Sequence, residues 1–201
     1  KYYLYNLTFL GEITGEEIEL NASGRTDAGV HALGQCASFK GDYGIPTEKI
    51  VTVANNILLG NKPGQKLGDL RILSVDEKLL DFHARFDSKG KMYRYIIHNS
   101  GEPKVFRRNY VYEVPDLLDV SKMVEAKEYI VGTHDFKCFE SSGANERDTT
   151  VRTVYKLDIN KVDEDVIIEI SGDGFLYNMV RNIVGTLVEI GLGKRDKEEI
   201  K

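Results

Sequence analysis

The sequence predicts an α+β fold in which a mostly antiparallel, mixed sheet is flanked by helices. Three observations carry that expectation. "VRTVYKLDIN" and "DVIIEISG" are extended stretches separated only by a polar turn, which suits antiparallel neighbours and leaves no room for a helical crossover. "PTEKIVTVANNILLG" and "LYNMVRNIVGTLVEIGLG" repeat apolar residues at helical spacing. With 41% hydrophobic and 29% charged residues over 201 positions, the chain can bury a core as one large or two small domains.

In chain order, Ile18 to Leu20 reads as a short strand, "SGRTDAGVHALGQ" as a Gly-rich loop and "QCASF" as a second strand. The stretch from Pro46 and Thr47 is a helix, with Ile50, Val53, Ala54, Ile57 and Leu58 on its apolar face and Gly60 as its stop. "NKPGQKLGD" follows as a loop. "DLRILSV" and "KMYRYIIH" are strands; the second alternates Tyr93, Tyr95 and Ile97 with Met92, Arg94 and Ile96, and both of its faces are expected to be covered. A helix from Ser121, behind the capping residue Asp119, carries Val124, Tyr129 and Ile130 and stops at Gly132. It leads into "THDFKCF", read as a helix-to-loop corner. After the two strands named first comes the clearest helix of the chain, ending at Gly191 or Gly193.

Composition narrows the function classes. A net charge of −5 argues against a uniformly basic coat but not against a local basic surface. Cys36 and Cys138 lie too far apart, and too far from histidine pairs, to signal a disulfide framework or a zinc site. No run is apolar enough to span a bilayer and "KYYLYNLTFL" is not a signal peptide, so the reading is soluble and cytoplasmic. A P-loop is absent, and the glycines near Asp27 do not open a helix in the manner of a dinucleotide fingerprint.

Three residues stand out. Asp27 sits in a loop whose glycines permit close backbone approach to a ligand, although an Asx-turn is the commoner use of such an aspartate. Arg181 shares a helix face with Tyr177, Val184, Gly185 and Val188; if buried there it needs an anion, and the alternatives are a structural ion pair or a side chain that snorkels outward. Tyr93 lies in a basic neighbourhood: between positions 85 and 108, Arg85, Lys89, Lys91, Arg94, Lys104, Arg107 and Arg108 face only Asp87 and Glu102. That local excess suits phosphates with aromatics nearby for stacking on bases, unless the segment is a salt-bridged hairpin. Ser23, Asp27 and His31 supply triad residue types without a nucleophile elbow, and Asp27, His31 and His83 meet at a metal only by accident of folding.

The motifs themselves resemble a known family. "SGRTDAGVHALGQ" matches the aspartate motif of the tRNA pseudouridine synthase A (TruA) family in six consecutive residues, Gly24 to Gly29, and in Val30, His31, Gly34 and Gln35. "DFHARFDSKGKMYRYIIHN", "GTHDFKCF", "TVRTVYKLDI" and "GDGFLYNMVRNIVGTLVEIG" resemble its later motifs in the same order. The resemblance implies a pseudouridine synthase-like fold and a homodimer that isomerises uridine in the anticodon stem-loop of tRNA, at tRNA positions 38–40, without cofactor or metal. It implies Asp27 as the catalytic aspartate, Tyr93 as the tyrosine over the uracil and Arg181 as the partner of the aspartate. Arg25, Arg85, Lys91 and Arg94 are the expected RNA contacts. Residues 1–100 are expected to form a half bearing the Asp and Tyr motifs and 101–201 a half bearing the Arg helix, the two sharing one cleft. Against the family pattern the chain is expected to lack an N-terminal strand and a C-terminal tail. A tRNA-binding module without turnover and a hydrolase built on Asp27 and His31 are the alternatives.

Overall fold

The structure, a computed structural model, describes residues 11, 18–24, 26–27, 29–41, 44–58, 70–143 and 148–200. It divides into two units, Lys1–Ser88 and Lys89–Lys201, so Tyr93 belongs with Arg181 and not with Asp27. Each unit carries both strands and helices, the α+β class that the sequence pattern predicts.

In the first unit β1 (Asn21–Ala22) pairs antiparallel with β2 (Ala37–Ser38). The first strand therefore begins after the expected Ile18–Leu20, and "QCASF" contributes only its middle. Helix α1 (Thr47–Leu58) has Glu48 in its first turn, where a carboxylate suits the positive end of the helix dipole. It buries Ile50 and Ala54, and Ala54 is packed by Ile18, Leu20, Phe39, Leu58 and Ile72. The expected stop Gly60 and the "NKPGQKLGD" loop lie outside the described residues.

Residues 70–75, read as a strand, join no ladder. Asn55 of α1 explains why: its side-chain amide donates to the Ile72 carbonyl and accepts from the Ile72 N–H, each at 2.8 Å. One side chain thus supplies the pair of bonds that a strand neighbour would make, and the backbone polar groups are satisfied without a sheet.

In the second unit β3 (Lys91–His98), β4 (Tyr112–Glu113), β5 (Gly132–Asp135), β6 (Val151–Val162) and β7 (Asp165–Gly172) form one sheet in the order β4-β3-β7-β6-β5. Only β3 and β4 run parallel. The central strand β7 alternates strictly, with Val166, Ile168 and Ile170 buried. These residues share a core with Leu157 and Ile159 of β6, Met123 and Ala126 of α2 (Val120–Ala126), and Met179, Ile183, Leu187 and Ile190 of α3 (Met179–Gly191). Each such fully buried aliphatic side chain contributes about 1.5–3 kcal/mol, so this core holds the unit together.

Register places Tyr93, Tyr95 and Ile97 opposite Ile170, Ile168 and Val166, on the core face, as the alternation predicts. On the other face Met92 is 64% exposed and Arg94 is exposed too, so the expectation that both faces are covered fails there. "THDF" is likewise not a helix-to-loop corner. Gly132–Asp135 pairs with β6 along the sheet edge, and a 3-10 turn, Lys137–Phe139, follows.

Helix ends follow the signals with two adjustments. Asp119 caps α2 by accepting from the N–H groups of Ser121 and Lys122, but the α-helix ends at Ala126 and passes into a 3-10 turn, Lys127–Tyr129, before Gly132 at φ +120°. Both glycines expected to end α3 have work, of different kinds. Gly193 takes φ +69° while Lys194 N–H donates to Glu189 and Gly193 N–H to Ile190, the paired bonds of a Schellman motif. Gly191 gives room: a Cβ there would lie 2.9 Å from Met123 Sδ and 3.1 Å from Leu118 Cδ2. Among the described residues no helix is long and apolar enough to cross a membrane.

Candidate active site

Asp27 sits on the loop between β1 and β2, and the loop is closed at its base. Ser23 N–H donates to Cys36 at 2.9 Å, and the Gln35 side chain donates to the Gly24 carbonyl at 2.6 Å. At the tip, Val30 N–H donates to the main-chain carbonyl of Asp27 at 3.1 Å, with Gly29 at φ +82°. A turn with positive φ at its third position favours glycine, which accounts for Gly29 without any ligand. The turn is closed by the main-chain carbonyl of Asp27, and Asp27 is exposed. What the loop achieves is a carboxylate presented outward on a clamped support. Arg25, the expected neighbouring RNA contact, lies outside the described residues.

The loop's support extends to a second motif in the same unit. Ala84, 3% exposed, donates its N–H to Ser38 Oγ of β2 at 3.0 Å, so "FHARF" is tied to the strand that leaves the Asp27 loop. Arg85 is exposed on this turn. His83 serves the turn, its Nδ1 accepting from Arg85 N–H at 3.1 Å. Among the described residues no three His, Cys, Asp or Glu side chains are grouped to hold a metal.

In the second unit Tyr93 is half-buried at the start of β3, its ring edge-on to Phe175 with centroids 5.3 Å apart at 89°. Phe175 lies in the segment that enters α3, so one aromatic contact sets the ring plane of Tyr93 against the approach to the Arg181 helix. Sequence reasoning missed this residue. The signal was there: an aromatic after two glycines, "GDGF", directly before the apolar helix. Nearby, Gly172 can only be glycine, because a Cβ there would lie 2.7 Å from the Thr153 carbonyl.

Arg181 corrects an expectation. Tyr177, Arg181, Gly185 and Glu189 are exposed, whereas Val184 and Val188 are buried. An exposed Arg181 makes no demand for a buried anion. Arg181 instead lines an open groove of about 400 Å³ with Asn182, Gly185, Thr186 and Cys138. Asn182 builds the wall of that groove by donating to the Phe139 carbonyl at 2.7 Å.

Within the basic stretch 85–108 three cations are engaged by acids. Arg94 pairs across the strands with Glu169 at 2.6 Å, Lys104 with Glu164 at 2.7 Å and Arg107 with Asp165 at 2.7 Å. For these three the salt-bridged alternative holds. Lys91 is half-buried at the other end of β3. The buried His98 ring bridges Asp165, at 2.9 Å from Nδ1, and the Glu102 carbonyl, at 3.0 Å from Nε2. Burial pushes the Asp165 carboxyl up, but the bonds from His98 and Arg107 outweigh it and hold it below the usual carboxylate range.

Comparison with known proteins agrees with these motifs. Residues 126–201 match the family described as tRNA pseudouridine synthase. The chain is 48% identical to "tRNA pseudouridine synthase A 2" of Clostridium tetani over 94% of its own length and 73% of the relative's. It is 45% identical to "tRNA pseudouridine synthase A" of Acetivibrio thermocellus, with the same coverage of both chains. With that of Brevibacillus brevis the identity is 46%, over 96% of this chain and 75% of the relative. Identity of this degree over nearly the whole chain places the chain in the tRNA pseudouridine synthase A family.

Proposed function

We propose that the chain isomerises uridine to pseudouridine in the anticodon stem-loop of tRNA, as a cytoplasmic homodimer, with Asp27 as the catalytic carboxylate. The observation that carries this reading is the clamped Asp27 loop, which presents a carboxylate outward between two short strands. Family membership supports the reaction and its tRNA substrate.

The chemistry conserves every atom. The N1–C1′ glycosidic bond breaks, the uracil turns while held, and C5 bonds to C1′. The C5 proton is then lost and N1 gains one, so neither electrons nor a co-reactant enter. Asp27 acts at the ribose, as a nucleophile at C1′ or as a base at C2′. Tyr93, its ring plane set by Phe175, stacks on the uracil and assists loss of the C5 proton. Arg181 acts with Asp27 on the same uridine. Exposure suits that role, since a side chain at a groove can meet substrate. Arg25, Arg85 and Lys91 contact the RNA, and the uridine leaves its stack to be reached. Arg94 contributes less, because Glu169 already engages it.

The test is to map pseudouridine in tRNA transcripts by carbodiimide-dependent primer-extension stops. Stops in the anticodon arm are expected. Stops confined to another arm overturn the location, and tight tRNA binding without any stop favours the binding module over the enzyme.

A further inference from the structure

Phe86 is 76% exposed, although it stands on one of the better-fixed turns of the first unit. Phe86 and Asp87 N–H both donate to the His83 carbonyl, at 3.1 and 2.9 Å, and the His83 N–H returns a 2.7 Å bond to the Asp87 carboxylate. Two residues before Phe86, Ala84 is buried and bonded to Ser38. The backbone is thus pinned on both sides of a large aromatic ring that the fold leaves in water. His83 lies against that ring, centroids 4.3 Å apart and tilted by 39°, and the Arg85 guanidinium stands 5.9 Å from its centroid.

We propose that the Arg85–Phe86 turn is a stacking platform for an unpaired nucleobase of the tRNA, with Phe86 as the ring on which the base lies. This rests on the functional reading above and extends it to a residue that the reading does not use. A flat ring with a cation beside it suits a π-face joined to a phosphate, and stacking of this kind tolerates any base. Asp87, the acid of the turn, is engaged by the His83 amide. Because the turn is ordered before the RNA arrives, little conformational entropy is lost on binding. Ser38 ties the platform to β2, which leaves the Asp27 loop, so the base it grips belongs to the same RNA segment that Asp27 handles.

The experiment measures tRNA affinity by fluorescence anisotropy at fixed salt for the full chain and for Phe86→Ala, Phe86→Leu and Phe86→Tyr, each with a thermal melt and sedimentation velocity. Phe86→Ala and Phe86→Leu are expected to weaken binding about tenfold, Phe86→Tyr to stay within about twofold of wild type, and all melts to coincide. Wild-type affinity in Phe86→Ala or Phe86→Leu overturns the platform, since an aliphatic contact would survive the second change. A lower melting temperature in Phe86→Ala overturns it by making Phe86 structural, and a changed oligomeric state with unchanged tRNA binding overturns it in favour of a protein contact. If the wild type itself neither binds nor modifies tRNA, the functional reading fails along with the platform. A wild type that works beside an indifferent Phe86→Ala defeats the platform alone.

Discussion

At the scale of single residues the account turns on charge. Asp27→Asn keeps size and loop geometry but removes the carboxylate's charge, so turnover should fall by about 10²–10⁴ or more while the melting temperature holds. Arg181→Ala should do the same in kind: the side chain is exposed, so its loss costs little stability and appears in kcat. The sequence singled out Arg181 but did not show how it is placed. Tyr177, Arg181, Gly185 and Glu189 follow one another at steps of four and form one exposed line, while Val184 and Val188 sit a fraction of a turn away and are buried. Spacing alone does not locate the edge of an apolar stripe; the packed neighbour does. Asp165 gives a pH prediction. Its folded pKa lies below the unfolded value, so its contribution to stability is fully present above about pH 4 and is lost as pH falls through the depressed folded value. Asp165→Asn should flatten that acid limb in melts recorded from neutral pH downward.

Elements were legible in proportion to how local their causes are. Helix α3 and the β6–β7 hairpin could be read directly, because a sustained period and a polar turn belong to the segment itself. The strand expected at 70–75 could not, because Asn55, distant in sequence, supplies its partner bonds, and β1 and β2 are too short for alternation to mark their ends. The α3 terminus shows two glycines of different origin, and calorimetry should separate them. Gly193→Ala forces a Cβ onto φ +69° and should cost about 1 kcal/mol. Gly191→Ala drives a methyl into Met123 and Leu118 and should cost about 1–3 kcal/mol, recovered in part by trimming Met123.

For the molecule as a whole, each unit has its own core. Among the described residues the large cluster from Ile97 to Ile190 draws only on the second unit, and the small one around Ala54 only on the first. Residues 89–201 should therefore fold alone with a cooperative melt, yet show no activity because Asp27 is absent. A non-cooperative melt of that fragment would contradict the division. The division itself escaped the sequence, which places Tyr93 with Asp27 by motif order, whereas β3 pairs with β7 along its whole length and carries Tyr93 into the second unit.

The reaction proposed for Asp27 is the isomerisation of uridine in tRNA. Loss of the C5 proton reports the reaction directly, so the decisive measurement is tritium release from tRNA transcripts labelled at uracil C5. Wild type should release tritium in proportion to the uridines modified, and Asp27→Ala, equally folded, should release none above background. Release by Asp27→Ala at the wild-type rate would contradict the account.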